Sequence, residues 1–198
     1  MKISMELLTQ LRARTGSGVL DCKEALEQTG GDIEKAIEYL RKKGIAAAAK
    51  KAERLTAQGV IDAYIHPGER LGVLVEVNCE TDFVARNQEF RRFVRDIAMQ
   101  IAATDPQAIS REDLSKEKIE AEKKIYEEQL ANSNKPKAVI EKIIQGKLEK
   151  FFSDVCLLEQ PFVKTPELKV GDYLKEQIAK YGENIKIKRF VRFKLGED

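Results

Sequence analysis

The densest run of chemically capable side chains in this chain is Glu76-Val77-Asn78-Cys79-Glu80-Thr81-Asp82-Phe83-Val84-Ala85-Arg86-Asn87. Cys79, Glu80 and Asp82 are metal-ligand types. The run lacks the second histidine or cysteine that a zinc-type site draws on, so no metal site is expected. A nucleophile with a general base would have to recruit His66, the single histidine of the chain. It stands beside Pro67-Gly68 in an expected turn, where a structural or merely exposed role is the simpler reading. Gly16-Ser17-Gly18 and Gly30-Gly31 lack the lysine and the preceding strand of a phosphate-cradling loop. A hydrolase built on His66 or on the Glu76, Glu80 and Asp82 carboxylates is therefore the least favoured reading. No catalytic residue, cofactor or metal ligand is assigned. The run instead offers a polar connection bearing one aromatic between an expected strand and an expected helix, a place where function tends to sit.

Phe83 has two readings. It falls one heptad before Phe90 and so fits core packing on the same stripe. Arg86 and Asn87 occupy the intervening positions, which favours an exposed aromatic at a strand-to-helix turn. Pattern alone does not decide between them. Asp82 fits the cap of the following helix, through the backbone N–H groups beyond it. Nearer the start of the chain, Leu20 lies about 100° from Val19 around a helix, outside the face of Cys22 and Leu26. It is a candidate surface contact or an incidental exposed leucine.

The elements that would position these residues follow from periodicity. Ser4 caps a helix carrying Met5, Leu8 and Leu11, which Thr15-Gly16-Ser17-Gly18 breaks. Val19, Cys22, Ala25 and Leu26 share one face of a second helix. After Gly30-Gly31, Asp32 caps a third, with Ile33, Ala36, Ile37 and Leu40 on one stripe and Gly44 at its end. Residues 45–58 read as a short helix or semi-rigid linker, with Lys50, Lys51 and Arg54 facing water or forming a basic patch. Residues 60–66 and 71–78 read as a hairpin about Pro67-Gly68-Glu69-Arg70, with Val73, Val75 and Val77 on one face. Phe90, Phe93, Val94, Ile97, Ala98 and Ile101 make the clearest helical stripe, suited to cover a sheet.

A charged helix over 116–130 follows, with a thin stripe of Ile119 and Tyr126. The break Asn132-Ser133-Asn134-Lys135-Pro136 leads into a helix carrying Val139, Ile140, Ile143, Ile144, Leu148, Phe151 and Phe152. The pair reads as a helical hairpin at about 116–152 whose first arm projects into solvent or meets a second subunit. A short helix near 172–181 precedes a closing strand over 185–195. Ile185, Ile187, Val191, Phe193 and Leu195 share its parity, and Arg189-Phe190 interrupts it at a candidate bulge. The class is α+β, a three-helix bundle followed by a three-stranded antiparallel sheet packed with helices and a protruding helical hairpin. The expected division is 1–54 for the bundle and linker and 55–198 for the core.

Composition narrows the function. With 35 basic against 33 acidic residues the net charge is only +2, so direct nucleic-acid binding is not expected. No stretch approaches the roughly 18 apolar residues of a membrane span, and the polar opening Met1-Lys2-Ile3-Ser4 lacks an apolar signal region. Cys22, Cys79 and Cys156 are odd in number and widely spaced, which suits reduced thiols in the cytoplasm.

Several segments together resemble the elongation factor Ts family over essentially the whole chain. They are residues 11–26 (LRARTGSGVLDCKEAL), Gly31-Asp32-Ile33-Glu34-Lys35-Ala36, the run from Glu76 to Arg86 with Thr81-Asp82-Phe83-Val84 at its heart, Gln160-Pro161-Phe162-Val163, and Arg189-Phe190-Val191-Arg192-Phe193. The resemblance implies a ubiquitin-associated-like N-terminal bundle, an α+β core and a partner, elongation factor Tu, in its GDP-bound and nucleotide-free forms. It implies guanine nucleotide exchange, with Phe83 wedging into the partner's nucleotide domain, Asp82 helping to disturb its Mg²⁺ site, and Thr81 and Val84 completing the segment. Arg12, Val19 and Leu20 match residues by which the bundle docks; many relatives carry methionine at the last two. The chain holds one copy of a core unit that longer members hold twice, and short members are similar in pairing as homodimers. The competing reading is an interaction scaffold without exchange activity.

Overall fold

The computed structural model describes residues 3–131, 133 and 135–197. Met1 and Lys2 of the polar opening, and Asn132 and Asn134 of the expected break, lie outside the described residues. Two compact units emerge, each assembled from three separate stretches. One comprises Met1–Val60, Val77–Arg91 and Asp172–Lys188; the other comprises Ile61–Glu76, Arg92–Gly171 and Arg189–Asp198.

In the first unit, three helices form a bundle: α1 (Met5–Thr15), α2 (Val19–Gln28) and α3 (Ile33–Lys51). Their starts and stops are written locally. The Ser4 hydroxyl accepts from the Leu7 N–H, and the Asp32 carboxylate accepts from the Lys35 N–H, each satisfying an otherwise unpaired first-turn donor. Gly16 ends α1 in the left-handed region at φ 66°, its N–H bonded to the Arg12 carbonyl, a conformation glycine adopts without steric penalty. Leu11, Cys22, Ala25, Leu26, Ala36 and Leu40 meet in one core. Val19 departs from the expected face. It is the first residue of α2 and is 45% exposed, ahead of the turn whose side chains reach the core.

Gly44 does not end its helix. α3 runs on for seven residues, to Lys51, because a glycine is needed there for a different reason. A Cβ at Gly44 would lie 3.1 Å from the Cβ of Ala179, which belongs to α8 (Val170–Tyr181). The missing side chain lets two helices of the same unit approach closely.

The sheet is three-stranded and antiparallel in the order β1 (Gln58–Ile65), β2 (Leu71–Cys79), β5 (Ile185–Lys194). Val73, Val75 and Val77 are buried as their alternation predicts. β2 leads through α4 (Asp82–Arg86) into α5 (Gln88–Thr104). All six apolar residues of the α5 stripe, from Phe90 to Ile101, are buried.

In the second unit, α6 (Lys116–Leu130) and α7 (Lys137–Val155) form the helical hairpin. α6 buries no residue, and its Tyr126 ring lies 5.0 Å from the Lys147 ammonium of α7, a cation–π contact that joins the arms. The base of α7 holds the core of Ala108, Leu114, Phe151, Phe152, Val155 and Cys156. A small antiparallel sheet of β3 (Pro161–Phe162) and β4 (Thr165–Lys169) was not expected. Two-residue strands and a proline-bearing partner leave no periodic trace in sequence.

One parity is corrected in β5. Ile185 and Ile187 are buried, whereas Val191 and Phe193, like Leu195 just beyond the strand, are exposed. Lys188 and Arg189 both face outward, so the burial alternation shifts by one residue at the interruption seen in the sequence.

Candidate functional site

The Glu80–Asn87 segment folds as one capped helical turn between β2 and α5. β2 ends on the buried Cys79, whose thiol donates to the Thr81 carbonyl at 3.2 Å. Thr81, not Asp82, is the N-cap of α4: its backbone is extended, and its hydroxyl accepts from the Val84 N–H at 3.4 Å. Asp82 is the first helical residue, and its carboxylate pairs with Arg86 at 3.0 Å one turn on. Asn87 closes α4 and opens α5, its side-chain oxygen accepting from the N–H groups of Glu89 and Phe90.

The turn has an inside and an outside. Val84 and Ala85 are buried, while Phe83 between Asp82 and Val84 is 80% exposed. The two readings of Phe83 thus resolve in favour of the exposed aromatic. The four residues Thr81, Asp82, Phe83 and Val84 come together as a cap, a surface charge, an outward ring and an inward anchor. An exposed i,i+4 ion pair such as Asp82–Arg86 contributes little, so the Asp82 carboxylate is free to exchange that partner for another.

A residue that sequence reasoning missed holds the segment from behind. The Glu183 carboxylate accepts from the backbone N–H groups of Glu80 and Thr81 at 3.1 and 3.0 Å, and from the Thr81 hydroxyl at 2.5 Å. Burial pushes the Cys79 thiol up to about 11, and the negative charge of Glu183 adds to that shift. No local pattern could have revealed this contact, because Glu183 lies 102 residues from Thr81 in the chain.

The N-terminal candidates occupy the same compact unit. Leu20 is 81% exposed beside the half-exposed Val19 at the start of α2. Arg12, exposed in the last turn of α1, lines a groove of about 570 Å³ with Thr15, Arg41, Gly44 and Lys180. Arg41 is committed to Asp172 at 3.5 Å and Lys180 to Glu89 at 2.9 Å.

Of the residues considered for covalent chemistry, His66, Glu76 and Glu80 are engaged elsewhere. The His66 ring nitrogen Nδ1 is 2.9 Å from the Tyr64 hydroxyl. Glu76 pairs with Arg189 at 2.6 Å, and Glu80 accepts from the Asn184 N–H at 2.6 Å. Among the described residues, no cluster of three histidine, cysteine or acidic side chains could hold a metal ion. No helix among them is long and apolar enough to cross a membrane.

Comparison with known proteins finds relatives along nearly the full chain. Residues 21–197 match the family described as Elongation factor TS. The chain is 60% identical over 195 residues to an elongation factor Ts of Carboxydothermus hydrogenoformans, covering 98% of this chain and 90% of that relative. It is 57% identical over 195 residues to one of Caldanaerobacter subterraneus subsp. tengcongensis, covering 98% of each chain. It is 56% identical over 197 residues to one of Thermodesulfovibrio yellowstonii, covering 100% of this chain and 98% of that relative. Together these matches define a translation elongation factor. The chain belongs to the elongation factor Ts family.

Proposed function

We propose that this protein is the guanine nucleotide exchange factor of elongation factor Tu, and that it acts by displaying Phe83 on a rigid turn. The observation that carries the proposal is the contrast between neighbours: an aromatic 80% exposed, followed by a buried valine, on a turn whose cap is the hydrogen-bonded Thr81. Burying a ring of this kind in a partner supplies about 1.5–3 kcal/mol. In the partner, Mg²⁺ offsets repulsion between nucleotide phosphates and nearby carboxylates. A wedge beside that site, with the Asp82 carboxylate brought near, weakens the hold on both ion and nucleotide. No bond of the nucleotide is made or broken, so the factor does no covalent chemistry. Coupling is reciprocal, so nucleotide and factor weaken each other by the same ratio. GTP can then displace the factor as readily as the factor displaces GDP.

In this scheme residues 1–54, a ubiquitin-associated-like bundle, dock on the nucleotide domain through Arg12, Val19 and Leu20, and residues 55–198 carry the wedge and the dimer contact. The factor works in the cytoplasm, where translation elongation takes place and where its free thiols Cys22, Cys79 and Cys156 stay reduced. Pairing into a homodimer is supported by the apolar outer face of the sheet. There Ile61, Leu74 and Val191 line a groove of about 360 Å³, and Phe193 is 70% exposed. Such a face is suited to covering by a like sheet. Light scattering on the purified protein should give a dimer mass that falls to the monomer in Phe193→Asp; a monomer in the unaltered protein removes the homodimer.

The deciding experiment is release of fluorescent GDP from elongation factor Tu at micromolar and millimolar Mg²⁺. Strong acceleration is expected, reduced about tenfold in Phe83→Ala by the energetics of one buried ring. Binding without acceleration would make the chain an interaction scaffold.

A further inference from the structure

The connection Gly182-Glu183-Asn184, between α8 and β5, reaches the Thr81–Val84 segment from two directions. Glu183 supplies acceptors for three donors, the N–H groups of Glu80 and Thr81 and the Thr81 hydroxyl. In the opposite sense, the Glu80 carboxylate accepts from the Asn184 N–H at 2.6 Å. Each glutamate side chain thus grips the other's neighbourhood of backbone. Asn184 is only 2% exposed, and its side-chain amide donates to the carbonyls of Ala52 and Arg54 at 3.2 and 2.8 Å. These two carbonyls belong to the chain leaving α3. One short connection therefore ties the end of the N-terminal helices to the turn that bears Phe83, all inside one compact unit.

The chemistry makes Glu183 decisive for the shape of that turn. Hydrogen bonds to an ionised acceptor are among the strongest a protein makes, and here three converge on one carboxylate. A threonine hydroxyl has a single proton. At Thr81 that proton is given to Glu183, which leaves a lone pair for the Val84 N–H. The cap that orders α4 is thus oriented by a residue outside the turn. Without Glu183, two backbone N–H groups lose their acceptor and the hydroxyl is free to rotate.

We propose that Glu183 is the positioning residue of the exchange segment, closing with Glu80 and Asn184 a reciprocal clasp that keeps Phe83 displayed. The proposal rests on the exchange function proposed above. Its signature is a loss in how fast bound nucleotide leaves, not in how tightly the factor docks, because Arg12, Val19 and Leu20 stand outside the clasp.

The test titrates GDP release from elongation factor Tu with the unaltered protein, Glu183→Ala and Glu183→Gln. It separates the maximal rate from the half-saturating concentration. In parallel, alkylation of Cys79 is followed by mass spectrometry against Cys156. Both thiols are buried, and only Cys79 is bonded to the Thr81 carbonyl. Glu183→Ala should lower the maximal rate about tenfold with half-saturation nearly constant, on the strength of charge-assisted hydrogen bonds. It should also speed Cys79 alkylation and leave Cys156 unchanged. Glu183→Gln keeps one oxygen acceptor without the charge or the second oxygen and should fall between the two, with a smaller loss of maximal rate than alanine; that intermediate loss is the readout if the alanine variant does not fold.

An unchanged maximal rate, or a loss confined to half-saturation, overturns the positioning role. If the unaltered protein fails to accelerate release, the exchange function itself falls. The clasp is then judged on the thiol alone: because both variants remove the charge that raises Cys79, faster alkylation in Glu183→Ala than in Glu183→Gln sustains it, and equal alkylation in the two overturns it.

Discussion

Phe83 and Val84 are adjacent in the chain and opposite in fate, one ring held out to solvent and one branched side chain held in. Keeping a phenylalanine in water forgoes about 1.5–3 kcal/mol of burial, so the display itself is a stability sacrifice. Truncating Phe83 should therefore leave the urea midpoint of the protein essentially unchanged while GDP release slows. A midpoint that drops by the amount expected of a core residue would mean that the ring is packed in solution, and the wedge would be lost with it. The same logic separates Asp82 from Thr81. The carboxylate makes one exposed ion pair, whereas the threonine hydroxyl serves both as donor and as acceptor inside the unit.

At the scale of elements, much was legible and the reasons differ. Ser4, Asp32 and the stripe from Phe90 to Ile101 were readable because caps and helical periodicity are local signals. The end of α3 was misread because Gly44 carries the same letter whether it stops a helix or lets another helix approach; only the 3.1 Å to Ala179 distinguishes them. The parity shift in β5 was half legible. Arg189-Phe190 marked the interruption, but the sequence could not say which half of the strand would face out. Of the site, Thr81 to Val84 was legible as a motif and its exposure was not, and Glu183 left no trace because its partners are remote in sequence. The Gly44 contact gives a direct test. Gly44→Val places a branched side chain against the backbone-borne methyl of Ala179 and should destabilise the protein by about 1–3 kcal/mol through overpacking, read as a lowered urea midpoint. Unchanged or raised stability would mean that α3 and α8 do not meet there in solution.

Across the whole molecule, the three thiols set an alkaline limit. Burial raises Cys79 and Cys156 from an ordinary value near 9 to about 11, and it raises Cys22 as well. A folded chain with raised thiols holds more protons than the unfolded chain between these values. Their stabilising contribution is complete below about pH 9 and disappears as pH climbs through about 11. The urea midpoint should accordingly be lower at pH 10 than at pH 8, and substituting all three thiols by alanine should flatten that slope. A midpoint independent of pH over this range would contradict burial of the thiols. The interleaving of the chain also fixes an order of events during its own synthesis. Thr81 and Glu183 are separated by 102 residues, which a ribosome adds in about 5–20 s at ordinary rates. For that interval the nascent chain carries the Thr-Asp-Phe-Val letters without the carboxylate that shapes them. A product cut short before residue 183 keeps the motif and lacks the hand that presents it, so under the proposed clasp the turn takes its working shape only once residue 183 has been added.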